Sequence, residues 1–139
     1  NKVLRETFTL LLLSTVGMAG TWFFHPDLPP WNPMVIEEGE ISLSDALALE
    51  QKTWIDARGN QAFEEAHIPD AILLNEDHWN DLFETFIISW DGVSTLVVYC
   101  DSRTCAASHG VAERLKASLG TDDVFVLKGG WQTWLEHID

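Results

Sequence analysis

Two cysteines, Cys100 and Cys105, are the residues of this 139-residue chain best suited to covalent chemistry. A cysteine thiolate is a nucleophile at neutral pH when its surroundings favour the anion. Cys100 directly follows the apolar run Thr95 to Tyr99 (TLVVY) and stands just ahead of a helical pattern over Ala106 to Leu119. In an open parallel sheet, sites lie at the C-terminal ends of the strands. The unpaired N–H groups and positive dipole end of a following helix stabilise an anion there, whether thiolate or persulfide. Taken alone, the pattern also fits an inert, packed thiol. Two cysteines are too few for a disulfide scaffold. They supply half of a tetrahedral zinc shell at a spacing wider than usual ligand pairs, so no metal site is expected.

The elements that must position Cys100 alternate between strand and helix. Ser42 to Asp45 reads as a capping box opening a helix to about Glu50. Thr53 to Asp56 is β-prone, Asn60 to Ala66 a short helix, and Ala71 to Leu74 a buried strand. Asp77 is read as the cap of a helix whose apolar stripe is Trp79, Leu82, Phe83, Phe86, Ile87 and Trp90, ended by Gly92. Thr95 to Tyr99 is uninterrupted apolar sequence, which suits a central parallel strand covered on both faces. The helix Ala106 to Leu119 closes at Gly120, Val124 to Leu127 is a strand, and Gly129 and Gly130 turn into a last helix, Trp131 to His137. Such alternation predicts an α/β fold with a mainly parallel sheet.

Ahead of this domain, Thr7 to Phe24 is an 18-residue run without charge. As a helix it would span roughly 27 Å, close to a bilayer's hydrocarbon core. We read residues 1–25 as a transmembrane anchor, residues 26–39 as a Pro-rich linker, and residues 40–139 as the domain. Pro26, Pro29, Pro30 and Pro33 make the linker stiff and extended. Gly17 and Ala19 also fit a cleaved signal, and a buried core helix is the third alternative; the run's continuation through Trp22, Phe23 and Phe24 favours retention. Lys2 and Arg5 precede the run, which predicts a cytoplasmic N-terminus and a single-pass protein with its domain on the extracytoplasmic, periplasmic side.

Composition narrows the partners. The net charge is −14, and residues 25–139 carry 6 basic and 21 acidic side chains. A surface that acidic repels phosphate backbones, which argues against nucleic acid as a partner.

Four segments occur in one order: WIDAR at 54–58, EEAHIPDA at 64–71, VVYCDSRTC at 97–105 and VLKGGWQTW at 126–134. Together, over about residues 40–137, they resemble the rhodanese homology domain, a family of sulfurtransferases. The resemblance implies a five-stranded parallel sheet flanked by helices. It also implies an active-site loop running Cys100–Asp101–Ser102–Arg103–Thr104–Cys105. By that resemblance Cys100 is catalytic: it takes sulfane sulfur from a small donor, becomes a persulfide, and passes the sulfur to a thiol or to cyanide, with no metal or organic cofactor. Asp56 and Arg58 match the family's Asp-x-Arg element and are given a structural part, as an ion pair at a strand end. His67 matches the histidine before Ile-Pro and is read as a turn and packing residue; Gly129 and Gly130, with Trp131, match the family's closing turn.

One departure bears on chemistry. The last loop position, often arginine in sulfurtransferases with anionic donors, is Cys105 here. Arg103 supplies a positive charge two residues earlier, and Asp101 partly cancels it, which puts thiosulfate as donor in question. Cys105 has two readings, a resolving thiol that closes a disulfide on Cys100 or a residue that packs at the helix start. A phosphatase would need a longer loop ending in arginine. The competing function class is a catalytically idle rhodanese-like subunit or docking module among other membrane protein subunits.

Overall fold

The structure, a computed structural model, describes residues 36–101 and 106–138. The anchor and most of the linker read from the sequence lie outside these residues, as do Ser102, Arg103, Thr104 and Cys105. Among the described residues no helix is long and apolar enough to cross a membrane.

Ten elements follow in the order β1 (Glu40–Ile41), α1 (Leu43–Ala48), β2 (Lys52–Asp56), α2 (Asn60–Glu65), β3 (Ile72–Leu73), α3 (Trp79–Ser89), β4 (Thr95–Tyr99), α4 (Ala106–Leu119), β5 (Val124–Leu127) and α5 (Gly130–Ile138). The five strands form one sheet in the order β1-β5-β4-β2-β3. Every pairing is parallel, with Trp54 opposite Val97 and Val97 opposite Phe125. The expected five-stranded parallel sheet flanked by helices is therefore present.

Strand β4 is central because both its faces are apolar. Side chains of a strand alternate between faces. Leu96 and Val98 enter one core with Ile55, Trp79, Phe86, Val111 and Leu115, under α3 and α4. Val97 and Tyr99 enter the other with Leu43, Ala46, Trp54 and Ile68, against which Trp131 and Trp134 of α5 pack. Burying both faces fixes the strand's register, since a one-residue slip would exchange two differently shaped sets of side chains.

Local chemistry sets the boundaries. At α1, the Ser42 Oγ accepts from the Asp45 N–H at 3.1 Å, while the Asp45 carboxylate accepts from the Ser42 hydroxyl at 2.6 Å rather than from its backbone N–H. The cap read at Asp77 is corrected: α3 starts at Trp79, its N-cap is His78, and no side chain caps it. The turn ahead of it is held by Asn75, whose Oδ1 accepts from the His78 N–H at 3.1 Å. Ile87 drops out of the apolar stripe, being 44% exposed, whereas Phe86 is fully buried. The buried strand read over Ala71 to Leu74 shortens to two half-buried residues, Ile72 and Leu73. Between α2 and β3 the chain reverses at Ile68–Pro69–Asp70–Ala71, closed by Ala71 N–H to Ile68 O at 3.0 Å. Asp70 takes φ 64° there, as the third residue of a type II turn requires.

Candidate active site

Asp56 ends β2, Tyr99 ends β4 and Leu127 ends β5, so Asp56, Cys100 and Gly130 converge at the C-terminal edge of the sheet. Their floor is a buried polar network. The Asp56 carboxylate, fully buried, accepts from Arg58 N–H at 2.9 Å, Arg58 Nε at 3.0 and 3.1 Å, Arg58 Nη2 at 2.7 Å, and the Tyr99 hydroxyl at 2.8 Å. The Tyr99 oxygen in turn accepts from Ile68 N–H at 3.1 Å. Arg58 Nη2 also donates to the Ala66 carbonyl at 2.6 Å. One charge pair thus ties the end of β2 to the end of β4 and to the Ala66–Ile68 turn. This geometry is a structural support for the edge, and His67 sits beside it, stacked on Phe63 at 4.0 Å with Nδ1 2.8 Å from the Phe63 carbonyl.

Burial opposes the Arg58 charge. The hydrogen bond and charge of Asp56, helped by Tyr99 and Asp101, outweigh that and raise its pKa. Burial is also the main cause that pushes the Tyr99 phenol up, with the Asp56 charge adding to it. Tyr99 therefore stays a neutral donor to Asp56 throughout the physiological range.

Above this floor lies Cys100. It is disulfide-bonded, and its backbone is gripped from the β5–α5 side. The Trp131 N–H donates to the Cys100 carbonyl at 2.7 Å. That close approach depends on Gly130, where a Cβ would overlap the Cys100 carbonyl oxygen. Gly129 and Gly130 both have positive φ, 82° and 57°, a conformation that side chains resist. The hydrogen bond uses one of the free N–H groups of the first turn of α5, so the positive end of that helix faces the Cys100 peptide. On the other side of the cysteine, Asp101 Oδ1 lies 3.6 Å from Arg58 Nη1, with its side chain 70% exposed. The Arg58 guanidinium stacks over the Trp131 ring at 4.5 Å and lies 5.6 Å from the Tyr99 ring centroid.

The structure thus brings together Asp56, Arg58, Cys100, Asp101, Gly129 and Gly130. The loop positions Ser102, Arg103, Thr104 and Cys105 lie outside the described residues, and α4 starts at Ala106 directly after them. Sequence reasoning did not single out Tyr99, whose signal was available. It is the chain's one tyrosine, set at the end of a strand buried on both faces, where a hydroxyl must find a partner. Among the described residues no three His, Cys, Asp or Glu side chains converge to hold a metal.

A disulfide-bonded cysteine at the end of the central parallel strand, beside a Gly-Gly turn and a buried Asp–Arg pair, marks the candidate site of this α/β fold. A rhodanese-like domain matches residues 42–137, and the chain belongs to that family. It is 33% identical over 94 residues to a thiosulfate sulfurtransferase, GlpE, of Pseudomonas syringae pv. syringae (strain B728a), covering 66% of this chain and 79% of the relative. Among solved structures it is similar to the BH2092 protein of Bacillus halodurans, with a TM-score of 0.58 and 25% identity over 71% of this chain and 72% of the other. It shares its fold with a rhodanese-related protein of Thermoplasma volcanium, with a TM-score of 0.55 and 22% identity over 70% of this chain and 91% of the other. These relationships place the chain among the rhodanese-like sulfurtransferases.

Proposed function

We propose that this protein is a membrane-anchored sulfurtransferase that carries sulfane sulfur on Cys100. The observation that carries the reading is the placement of Cys100 at the end of β4, with its carbonyl held by the Trp131 N–H. In the first half-reaction the Cys100 thiolate attacks the outer sulfur of a donor. The donor's bond to that sulfur breaks (S–S in thiosulfate or glutathione persulfide, C–S in 3-mercaptopyruvate), the electron pair leaves with the remainder (sulfite, glutathione thiolate or pyruvate enolate), and Cys100 becomes a persulfide. In the second, an acceptor thiolate or cyanide attacks the terminal sulfur, and the electron pair returns to Cys100 as thiolate. Acceptor persulfide or thiocyanate leaves, with no net oxidation of the enzyme.

A disulfide-bonded Cys100 has no thiolate, so a thiol reductant must open it before turnover. The chain contains one other cysteine, Cys105, which we assign as the partner and resolving thiol. Attack of Cys105 on the Cys100 persulfide releases hydrosulfide and closes the disulfide, and two electrons from the reductant reopen it. The uncharged run Thr7 to Phe24 supports a single-pass anchor that sets the domain on the extracytoplasmic side.

The test is steady-state sulfur transfer by the reduced full chain from thiosulfate, 3-mercaptopyruvate and glutathione persulfide. Turnover that disappears in Cys100→Ser is expected. Absence of turnover with every donor refutes the enzyme and leaves a docking subunit of a membrane assembly.

A further inference from the structure

The end of the sheet opposite Cys100 carries an apolar surface that sulfur transfer does not use. Among the described residues six large hydrophobic side chains are exposed, and three of them fall within seven residues: Ile87, Ile88 and Val93, at 44%, 81% and 71%. They span the last turn of α3 and the loop into β4. A cleft of about 350 Å³ opens here, lined by Trp90, Val93, Ser94, Leu119, Thr121 and Asp123. Binding pockets run from roughly 300 to 1,000 Å³. The wall of the cleft is held in place before anything binds. The Trp90 indole N–H donates to the Ser94 Oγ at 3.0 Å, the Ser94 and Thr53 hydroxyls share a hydrogen bond at 2.6 Å, and Phe86 stacks against Trp90 at 5.6 Å. The cleft lies in the loops that lead into β4 and β5, whereas Cys100 follows the far end of β4. The length of that strand, roughly 16 Å, separates the two.

Charge decides what this surface can take. Asp91, Asp122 and Asp123 are exposed in the two loops that form the cleft, and neither loop contains a lysine or arginine. Such a surface repels anionic lipid headgroups. A second copy of the chain fits poorly as well, because each described lysine and arginine already has a partner. Lys52 binds the Leu47 and Leu49 carbonyls, Arg58 pairs with Asp56, Arg114 lies over Trp79, Lys116 pairs with Glu113, and Lys128 pairs with Glu40. A cation with apolar neighbours suits both features of the surface, since the stem of a lysine or arginine covers apolar groups while its head stays at a polar rim. We infer that the cleft is a docking site for a basic segment of a partner protein. It seats a lysine or arginine with the stem against Trp90, Val93 and Leu119 and the head at Asp123, while aliphatic neighbours of that residue cover Ile88 and Val93. Binding there leaves the Cys100 end of the sheet open.

The experiment records amide and indole NMR spectra of the isotope-labelled full chain in zwitterionic micelles. The probe is a blocked hexapeptide of alternating leucine and arginine, with glutamate-for-arginine and serine-for-leucine versions as controls. The arginine peptide is expected to shift the Trp90 indole and the amides of residues 92–94 and 121–123 along one saturating curve, and both controls to bind more weakly. Asp123→Asn should weaken binding about fivefold, the size given by unit charges about 4 Å apart in water. Val93→Ser should weaken it about fourfold, the burial of about one methylene. Comparing native protein and variant at one detergent concentration cancels uptake of peptide by the micelles. Both side chains are exposed, so both variants should keep the fold and the native rate of sulfur transfer. No saturable shift, equal binding of the glutamate peptide, or native affinity in either variant overturns the inference. Movement of the same resonances without peptide also overturns it, whether on concentrating the chain (a second copy) or on doping the micelles with anionic detergent (a lipid surface).

Discussion

Replacing Gly130 by alanine should damage this protein more than replacing Gly120, a glycine of similar backbone angle. Two costs combine at this position. Alanine in the left-handed region, where Gly130 sits at φ 57°, costs ~1–2 kcal/mol. Its Cβ must also displace the Cys100 carbonyl, which it would overlap. Moving that carbonyl away from the Trp131 N–H removes a 2.7 Å hydrogen bond, and an unmet buried group costs roughly 1–3 kcal/mol. The sum is about 2–5 kcal/mol, with the cysteine displaced as well. Gly120 supplies the control: φ is 66°, and nothing lies within 4 Å of the position a Cβ would take. Gly120→Ala should cost only ~1–2 kcal/mol and leave activity near the native level. Urea denaturation of both variants, with sulfur transfer measured beside it, separates the terms. The steric account requires Gly130→Ala to lose at least tenfold in transfer rate and the larger amount in stability. Equal losses for the two alanines would show that the approach of α5 to Cys100 does not matter, and would refute the reasoning.

Removing one partner of the buried Asp56–Arg58 pair, as in Arg58→Met, should destabilise the fold by roughly 3–5 kcal/mol, since it strands a fully buried carboxylate; thermal melts against the native protein check this. Because the Tyr99 pKa is raised on folding, its stability contribution is complete below the unfolded value of about 10 and is lost as pH rises beyond it. Denaturant midpoints should therefore hold up to about pH 10 and fall progressively above it, and Tyr99→Phe should flatten that fall while lowering stability at neutral pH by about 1–3 kcal/mol. Sulfur transfer should require a thiol reductant in the native chain, because Cys100 is disulfide-bonded, and should become independent of prior reduction in Cys105→Ser; a reductant requirement that persists in that variant argues against Cys105 as the partner.

Most of the domain was legible because its elements carry strong local signals. The strand Thr95 to Tyr99 and the helix Ala106 to Leu119 stand in the structure with the boundaries that apolar run length and a closing glycine predict. Strand β1 was not legible from pattern. Glu40 and Ile41 are two residues, too few to show any periodicity, and they join the sheet by pairing with Val126 and Leu127 far along the chain. The fifth strand was expected only through the family resemblance. The start of α3 was misread for a related reason: Asp77 has the right chemistry for a cap, but Asn75, two residues earlier, takes the turn by binding the His78 N–H and the Arg58 carbonyl. Ile87 fits a helical apolar spacing and still faces outward, since the stripe there is already filled by Phe86 and Trp90.

For the site, the sequence placed the pair Asp56 and Arg58 at a strand end, where the structure has them. It did not disclose what Arg58 touches. The stacking on Trp131 and the ion pair with Asp101 join residues more than forty positions apart and depend on the order of strands in the sheet. The clash that demands Gly130 is likewise a tertiary fact, invisible in the Gly-Gly motif, which by itself signals only a turn.

The central claim is that Cys100 carries sulfur, and intact mass spectrometry with peptide mapping tests it most directly. The reduced full chain would be incubated with a persulfide donor, and the native protein, Cys100→Ser and Cys105→Ser compared. A gain of one sulfur atom mapped to Cys100, present in the native chain and in Cys105→Ser and absent from Cys100→Ser, is the predicted result. A native chain that gains no sulfur, or a gain that survives Cys100→Ser, contradicts the account.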